Sequence, residues 1–206
     1  MERTLILRNV VCQAADVTPT AFRIADFAEP LDFGAGEDKI RMDDLSVTEW
    51  EKARLQVLPD RLQLGFLPGA DSGLTRLAVA AFFERADELA PGRAVGFNAA
   101  LGLTLEEGDA DPSANLVDAQ TLAGSLGGDR ARGGFTLVFH DEVSRWWVEL
   151  SPQPEDDRAW TFDFNRHFSA IPEAGTDDRE KVLDWFSDVE ASTVSMFETI
   201  SMGTDR

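Results

Sequence analysis

The chain has 206 residues, 43% of them hydrophobic, with 14 Phe and 5 Trp, enough apolar material to build a core without disulfide or metal staples. Its 38 acidic residues against 19 Lys and Arg give a formal net charge of -19, which disfavours direct binding to nucleic-acid phosphate or to an anionic lipid surface. The lone cysteine, Cys12, excludes an intrachain disulfide framework, and no apolar run reaches the ~18 residues of a membrane span, so a cytoplasmic setting is expected.

Thr4 to Gln13 is β-branched and apolar enough to predict a strand, and Phe22 to Phe27 alternates as a short second one. The acid- and glycine-rich stretch 28–46 reads as a loop. Around Pro59-Asp60, the runs Arg54 to Leu58 and Arg61 to Phe66 predict a hairpin, with Leu62, Leu64 and Phe66 on its core side.

Asp71 or Ser72 is placed to cap a helix reaching about Leu89, where Pro91-Gly92 stops it. Leu74, Leu77, Ala78, Ala81, Phe82 and Leu89 form its expected inner stripe. The most regular strand follows: Val95, Phe97, Ala99, Leu101, Leu103 and Leu105 share one face, and Gly96, Asn98, Ala100, Gly102 and Thr104 share the other. Beyond a loop at 106–112, a short helix from Pro112 or Ser113 to Leu122 is expected, followed by a glycine-rich connection at 123–133.

Three alternating runs then predict a meander: Phe135, Leu137 and Phe139; Trp146, Val148 and Leu150; and Trp160, Phe162 and Phe164. A closing helix is expected from Asp177 to about Ile200, with Asp177 and Glu180 at capping-box spacing. Its stripe is Val182, Trp185, Phe186, Val189, Thr193, Met196, Phe197 and Ile200. The sum is a single α+β domain over 1–206: a mainly antiparallel twisted sheet of about six or seven strands, packed by two longer amphipathic helices and one short one.

Chemistry-bearing patterns are sparse. Cys12, His140 and His167 supply the atoms of a Cys-His pair without a supporting motif, and no GxSxG elbow or HExxH helix occurs. The acids from Glu107 to Asp111 lack the twelve-residue frame of a calcium loop, and the run GSLGGDRARGG lacks the GK[ST] ending of a P-loop. No catalytic residue, metal site or cofactor is therefore assigned.

Two groups remain as candidate sites. Arg61, Asn98, Asp163, Asn165, Arg166 and His167 belong to polar strand positions that would line a ligand concavity if their faces coincide. Glu37, Asp38, Asp43, Asp44, Glu107, Asp109 and Asp111 fill the two acidic segments and are candidates for contact with a basic partner. The leading expectation is a non-enzymatic interaction or accessory subunit, inhibitory in one form, that docks on a basic protein surface. The alternatives are a small-molecule-binding domain or enzyme using the polar sheet face, and a nucleic-acid mimic.

Overall fold

Nine strands hydrogen-bond into one fully antiparallel sheet in the computed structural model, which describes residues 2–14, 16–21, 36–67, 69–89, 94–109, 132–189, 191–192 and 195. The strands are β1 (Glu2–Gln13), β2 (Glu37–Arg41), β3 (Ser46–Glu49), β4 (Ala53–Leu58), β5 (Arg61–Phe66), β6 (Val95–Thr104), β7 (Phe135–His140), β8 (Ser144–Pro152) and β9 (Ala159–Phe168). Their spatial order is β2-β3-β4-β5-β1-β6-β9-β8-β7. Helix α1 (Ser72–Leu89) joins β5 to β6, and α2 (Asp177–Ser187) follows β9. The α+β class with a large antiparallel sheet and two helices stands as expected from the alternating runs.

The two strands beyond the expected count are β2 and β3, and β2 lies inside the stretch expected to be loop. Every residue of β2 is exposed, so it lacks the apolar alternation that marks a half-buried strand. Its charged side chains suit the edge position it holds among the described strands, where charge disfavours pairing with another chain. Glu37, Asp38, Lys39 and Arg41 are joined by ion pairs between Lys39 and Glu37 at 2.6 Å and between Arg41 and Asp38 at 3.1 Å. The expected strand at 22–27 and helix at 112–122 lie outside the described residues.

The β4–β5 turn also fixes the exit of β1. Ala14 donates its amide to the Asp60 carbonyl at 2.8 Å, and Val17 donates to Pro59 at 3.1 Å. Near its start β1 carries a bulge, where Leu5 pairs with Leu101 but Leu7 pairs with Ala100. One residue is absorbed there, and Ile6 and Leu7 are left 59% and 43% exposed.

Asp71 caps α1, its Oδ1 accepting the Leu74 amide at 2.8 Å. The buried stripe of α1 is Thr75, Ala78, Val79, Phe82, Phe83 and Ala86, rotated from the expected one. Leu77 is 56% exposed. Thr176 rather than Asp177 caps α2, accepting the Arg179 amide, and α2 buries Val182 and Phe186 as expected, together with Leu183 and Arg179, which lay outside the expected stripe. Positions 193, 196, 197 and 200 of the expected stripe lie outside the described residues.

Both helices cover the same side of the sheet. There Phe97 is in ring contact with Phe83, Phe168, Trp185 and Phe186, at centroid distances of 4.9 to 6.0 Å. Edge-on and tilted ring pairs add to the area burial that dominates such a core. Two buried arginines tie the helices down. Arg8 donates to the carbonyls of Ala70 at 2.8 Å and Ser187 at 3.4 Å, and Arg179 donates to those of Ala80 and Pro172 at 3.4 Å while pairing with Asp87. Cys12 is fully buried among the apolar residues of this side.

Candidate functional site

Strand alternation sends every second side chain of β1, β6, β9, β8 and β7 away from the helices. No described helix covers that second face. The register orders its side chains into rungs running across the strands. One rung carries His140, Arg145, His167 and Gly96; the next carries Val138, Trp147, Asn165, Asn98 and Asn9; the third carries Thr136, Glu149, Asp163, Ala100 and Leu7.

The middle rung is locked by amides. Asn98 donates through Nδ2 to Asn9 Oδ1 at 2.7 Å, and Asn165 donates through Nδ2 to Asn98 Oδ1. This leaves the Asn165 carbonyl oxygen in a fixed orientation. Trp147, directly across from Asn165, is 44% exposed. Arg145, Trp147, Asn165 and His167 line a shallow concavity of ≈ 340 Å³, at the low end of what a bound organic group occupies.

On the third rung Asp163 faces Glu149 directly. Burial pushes the Asp163 carboxyl above its ordinary pKa, and the Glu149 charge raises it further. Ser151 donates its hydroxyl to Glu149 at 2.9 Å.

The six polar positions expected to share a concavity divide three ways. Asn98, Asp163, Asn165 and His167 are together on the face that no described helix covers, called the uncovered face below. Arg61 stands apart: it pairs with Gln13 at the far end of β5, while Asn9, the neighbour of Asn98, pairs with Gly65. Four residues along the strand and two strands across separate it from Asn98, about 16 Å in total. Arg166 is on the opposite face, because it has the parity of Phe162, Phe164 and Phe168 and not that of its neighbours Asn165 and His167.

Arg166 instead centres a cluster on the helix side, which the sequence reading missed. Its guanidinium lies 4.3 Å from the Trp146 ring centroid, 4.7 Å from that of Phe168 and 5.5 Å from that of Trp185. It donates to Ser144 Oγ at 3.0 Å and to Asp141 Oδ2 at 3.2 Å. Asp141 also accepts the Ser144 hydroxyl at 2.7 Å, the Trp146 indole N–H at 3.1 Å, and the amides of Val143 and Ser144 at 3.0 and 2.6 Å. Burial pushes this carboxyl upward, but the hydrogen bonds outweigh it and hold it well below the usual carboxylate range. Its acceptor capacity is consumed internally, so the cluster fixes the β7–β8 turn and leaves no free group for chemistry. Beside it, a second concavity of ≈ 390 Å³ opens between Glu142 and Val143 and the segment Ser169 to Glu173.

The acidic candidates do not form one surface. Ser46 is level with Val57, Leu62, Cys12 and Val95, so the turn bearing Asp43 and Asp44 projects from that end of the sheet. Glu107 and Asp109 follow β6 at the other end, about 30 Å away. Glu37 and Asp38 lie on the β2 edge, where Asp38 also accepts the Thr48 hydroxyl. Asp109 accepts the Glu106 amide at 2.8 Å and caps its own turn, while Asp111 lies outside the described residues.

Among the described residues no group of three or more His, Cys, Asp and Glu is placed to hold a metal ion, and no helix is long and apolar enough to cross a membrane. No protein-family model matches the chain, and no curated protein matches it either.

Proposed function

We propose that this protein is a non-catalytic interaction subunit that holds a partner chain against the uncovered face of its sheet, and that the partner is basic overall. The uncovered face carries the reading: Ile6, Leu7, Val138 and Trp147 are 59%, 43%, 44% and 44% exposed there, amid polar rungs. Exposed aliphatic and aromatic groups interspersed with polar ones are the composition of a docking surface. The net charge of -19 accelerates encounter with a basic partner and repels acidic ones. With Asp43–Asp44 and Glu107–Asp109 at opposite ends, the acids steer from both sides of the face and do not form a single contact patch.

Complexes isolated from the source cells at low salt test this reading. Recovery of a basic partner should fall as salt rises and be abolished by Trp147→Glu, while Leu77→Glu on the outer side of α1 leaves it intact. Recovery indifferent to Trp147→Glu sinks the proposal.

A further inference from the structure

The geometry points to a specific sequence pattern in that partner, and we infer that the uncovered face over β8 and β9 recognises an extended segment with an acidic, an aromatic and a basic side chain at alternate positions. This deepens the docking reading and rests on it. The warrant is the order and spacing of the three rungs. Successive rungs are two residues apart along β8 and β9, which is ~6.7 Å. An extended chain lying along these strands presents its own alternate side chains at the same repeat, so three of them meet three rungs in step.

Each rung selects a different chemistry. The first presents Arg145 directly opposite His167, both exposed. Arg145 has no carboxylate partner among the described residues, as is also the case for Arg61 and Arg158, but it alone of these three lines the concavity and stands beside an imidazole. In a chain with two acids for every basic residue, an unpaired guanidinium beside an imidazole is a receptor for a carboxylate. The second rung offers the Trp147 ring and the fixed Asn165 carbonyl, a flat apolar plate beside one acceptor. It joins the first rung in lining the same concavity, so a carboxylate and a neighbouring ring occupy one continuous depression.

The third rung sets Asp163 against Glu149, like charges directly opposed across a ladder. That arrangement destabilises the free sheet, and a cation laid between the two carboxylates relieves it. The first and third rungs are four residues apart, about 13 Å, which matches alternate positions one and five of an extended strand. Side chains, not backbone hydrogen bonds, carry this recognition, so the segment binds in either chain direction provided its acid meets Arg145 and its base meets Glu149.

Calorimetric titration of the full-length protein with blocked seven-residue peptides tests the assignment. The reference peptide carries Asp, Trp and Lys at its second, fourth and sixth positions between threonines. We expect it to bind, and replacing Lys by Asp, Asp by Lys, or Trp by Thr to weaken binding about tenfold or more. Arg145→Glu should transfer the preference to the peptide with Lys at both ends, and Glu149→Lys to the peptide with Asp at both ends. Both sites are on the sheet surface, and an unchanged circular dichroism spectrum certifies each variant. Equal affinity for all four peptides, no binding of any, or a preference that Arg145→Glu leaves unchanged overturns the motif. If the peptides fail while recovery of the cellular partner still depends on Trp147, the motif is wrong and the docking reading stands; if both fail, both fall.

Discussion

Asp163 stands directly across the β8–β9 ladder from Glu149, and the pair loads one rung of the uncovered face with two negative charges. Burial and the Glu149 charge both raise the Asp163 carboxyl. A carboxyl whose pKa is higher folded than unfolded subtracts stability wherever it is ionised, and that penalty fades as pH falls toward the unfolded value near 3.9. Asp163→Asn should therefore stabilise the free protein at pH 7 by about 0.2–1 kcal/mol. Denaturant melts at pH 7 and pH 4 check this: the gain should shrink on acidification, and a loss of stability at pH 7 contradicts it.

Asp141 has the opposite linkage. Its folded pKa is depressed, so it contributes stability that is complete above the unfolded value near 3.9 and is lost as pH falls toward the folded one. Asp141→Asn weakens the hydrogen bonds from Ser144, Trp146 and Arg166. Hydrogen bonds to a charged group are worth about 1.5–3 kcal/mol, and the partial exposure of Asp141 reduces this to about 1–2 kcal/mol. Equilibrium unfolding at pH 7 should show that cost, with the difference from wild type diminishing below pH 4.

The phase of α1 is testable by charge insertion. Leu77→Lys should change stability by no more than about 0.5 kcal/mol, since the side chain is 56% exposed. Val79→Lys places an ammonium in a fully buried position and should destabilise by several kcal/mol or prevent folding. A greater loss of stability for Leu77→Lys than for Val79→Lys would mean that the helix faces the sheet through the stripe containing Leu77, and equal losses would contradict the phase described above.

Phe97 is the aromatic hub under both helices, and Phe97→Ala should cost about 3–5 kcal/mol in chemical denaturation. Ile6→Ser on the bulge, by contrast, should be nearly silent for stability, within about 0.5 kcal/mol.

Most of this architecture was legible because its signals are local. β-Branched apolar composition located β1, turn signals and alternation located β4, β5, β6, β7, β8 and β9, and the 3.6-residue rhythm located both helices. Two kinds of information were not local. The all-exposed β2 shows no periodicity, because its strand character comes from pairing to β3 and not from a buried face. The rotation of α1 could not be fixed from apolarity alone, since Leu77 and Val79 are both apolar and only the sheet beneath decides between them. Arg166 was a failure of a different sort. Strict parity with Phe164 and Phe168 already assigned it to the helix side, but its charge suggested the wet face. What overrides that charge is a set of three aromatic rings and Asp141, contributed by elements that no sequence window joins. The asparagine ladder was half visible: Asn98 and Asn165 were singled out, whereas Asn9 lay in an apolar strand and only the β1–β6 register brings it to Asn98.

Photo-crosslinking inside the source cells tests the docking of a partner on the uncovered face most directly. A photoreactive phenylalanine at position 147 faces the surface over β8 and β9, and one at position 77 faces outward from α1 on the opposite side. We expect a crosslinked adduct to a basic protein from position 147 and none from position 77. An adduct from position 77 alone, or none from position 147, would contradict the assignment of that face as the docking surface.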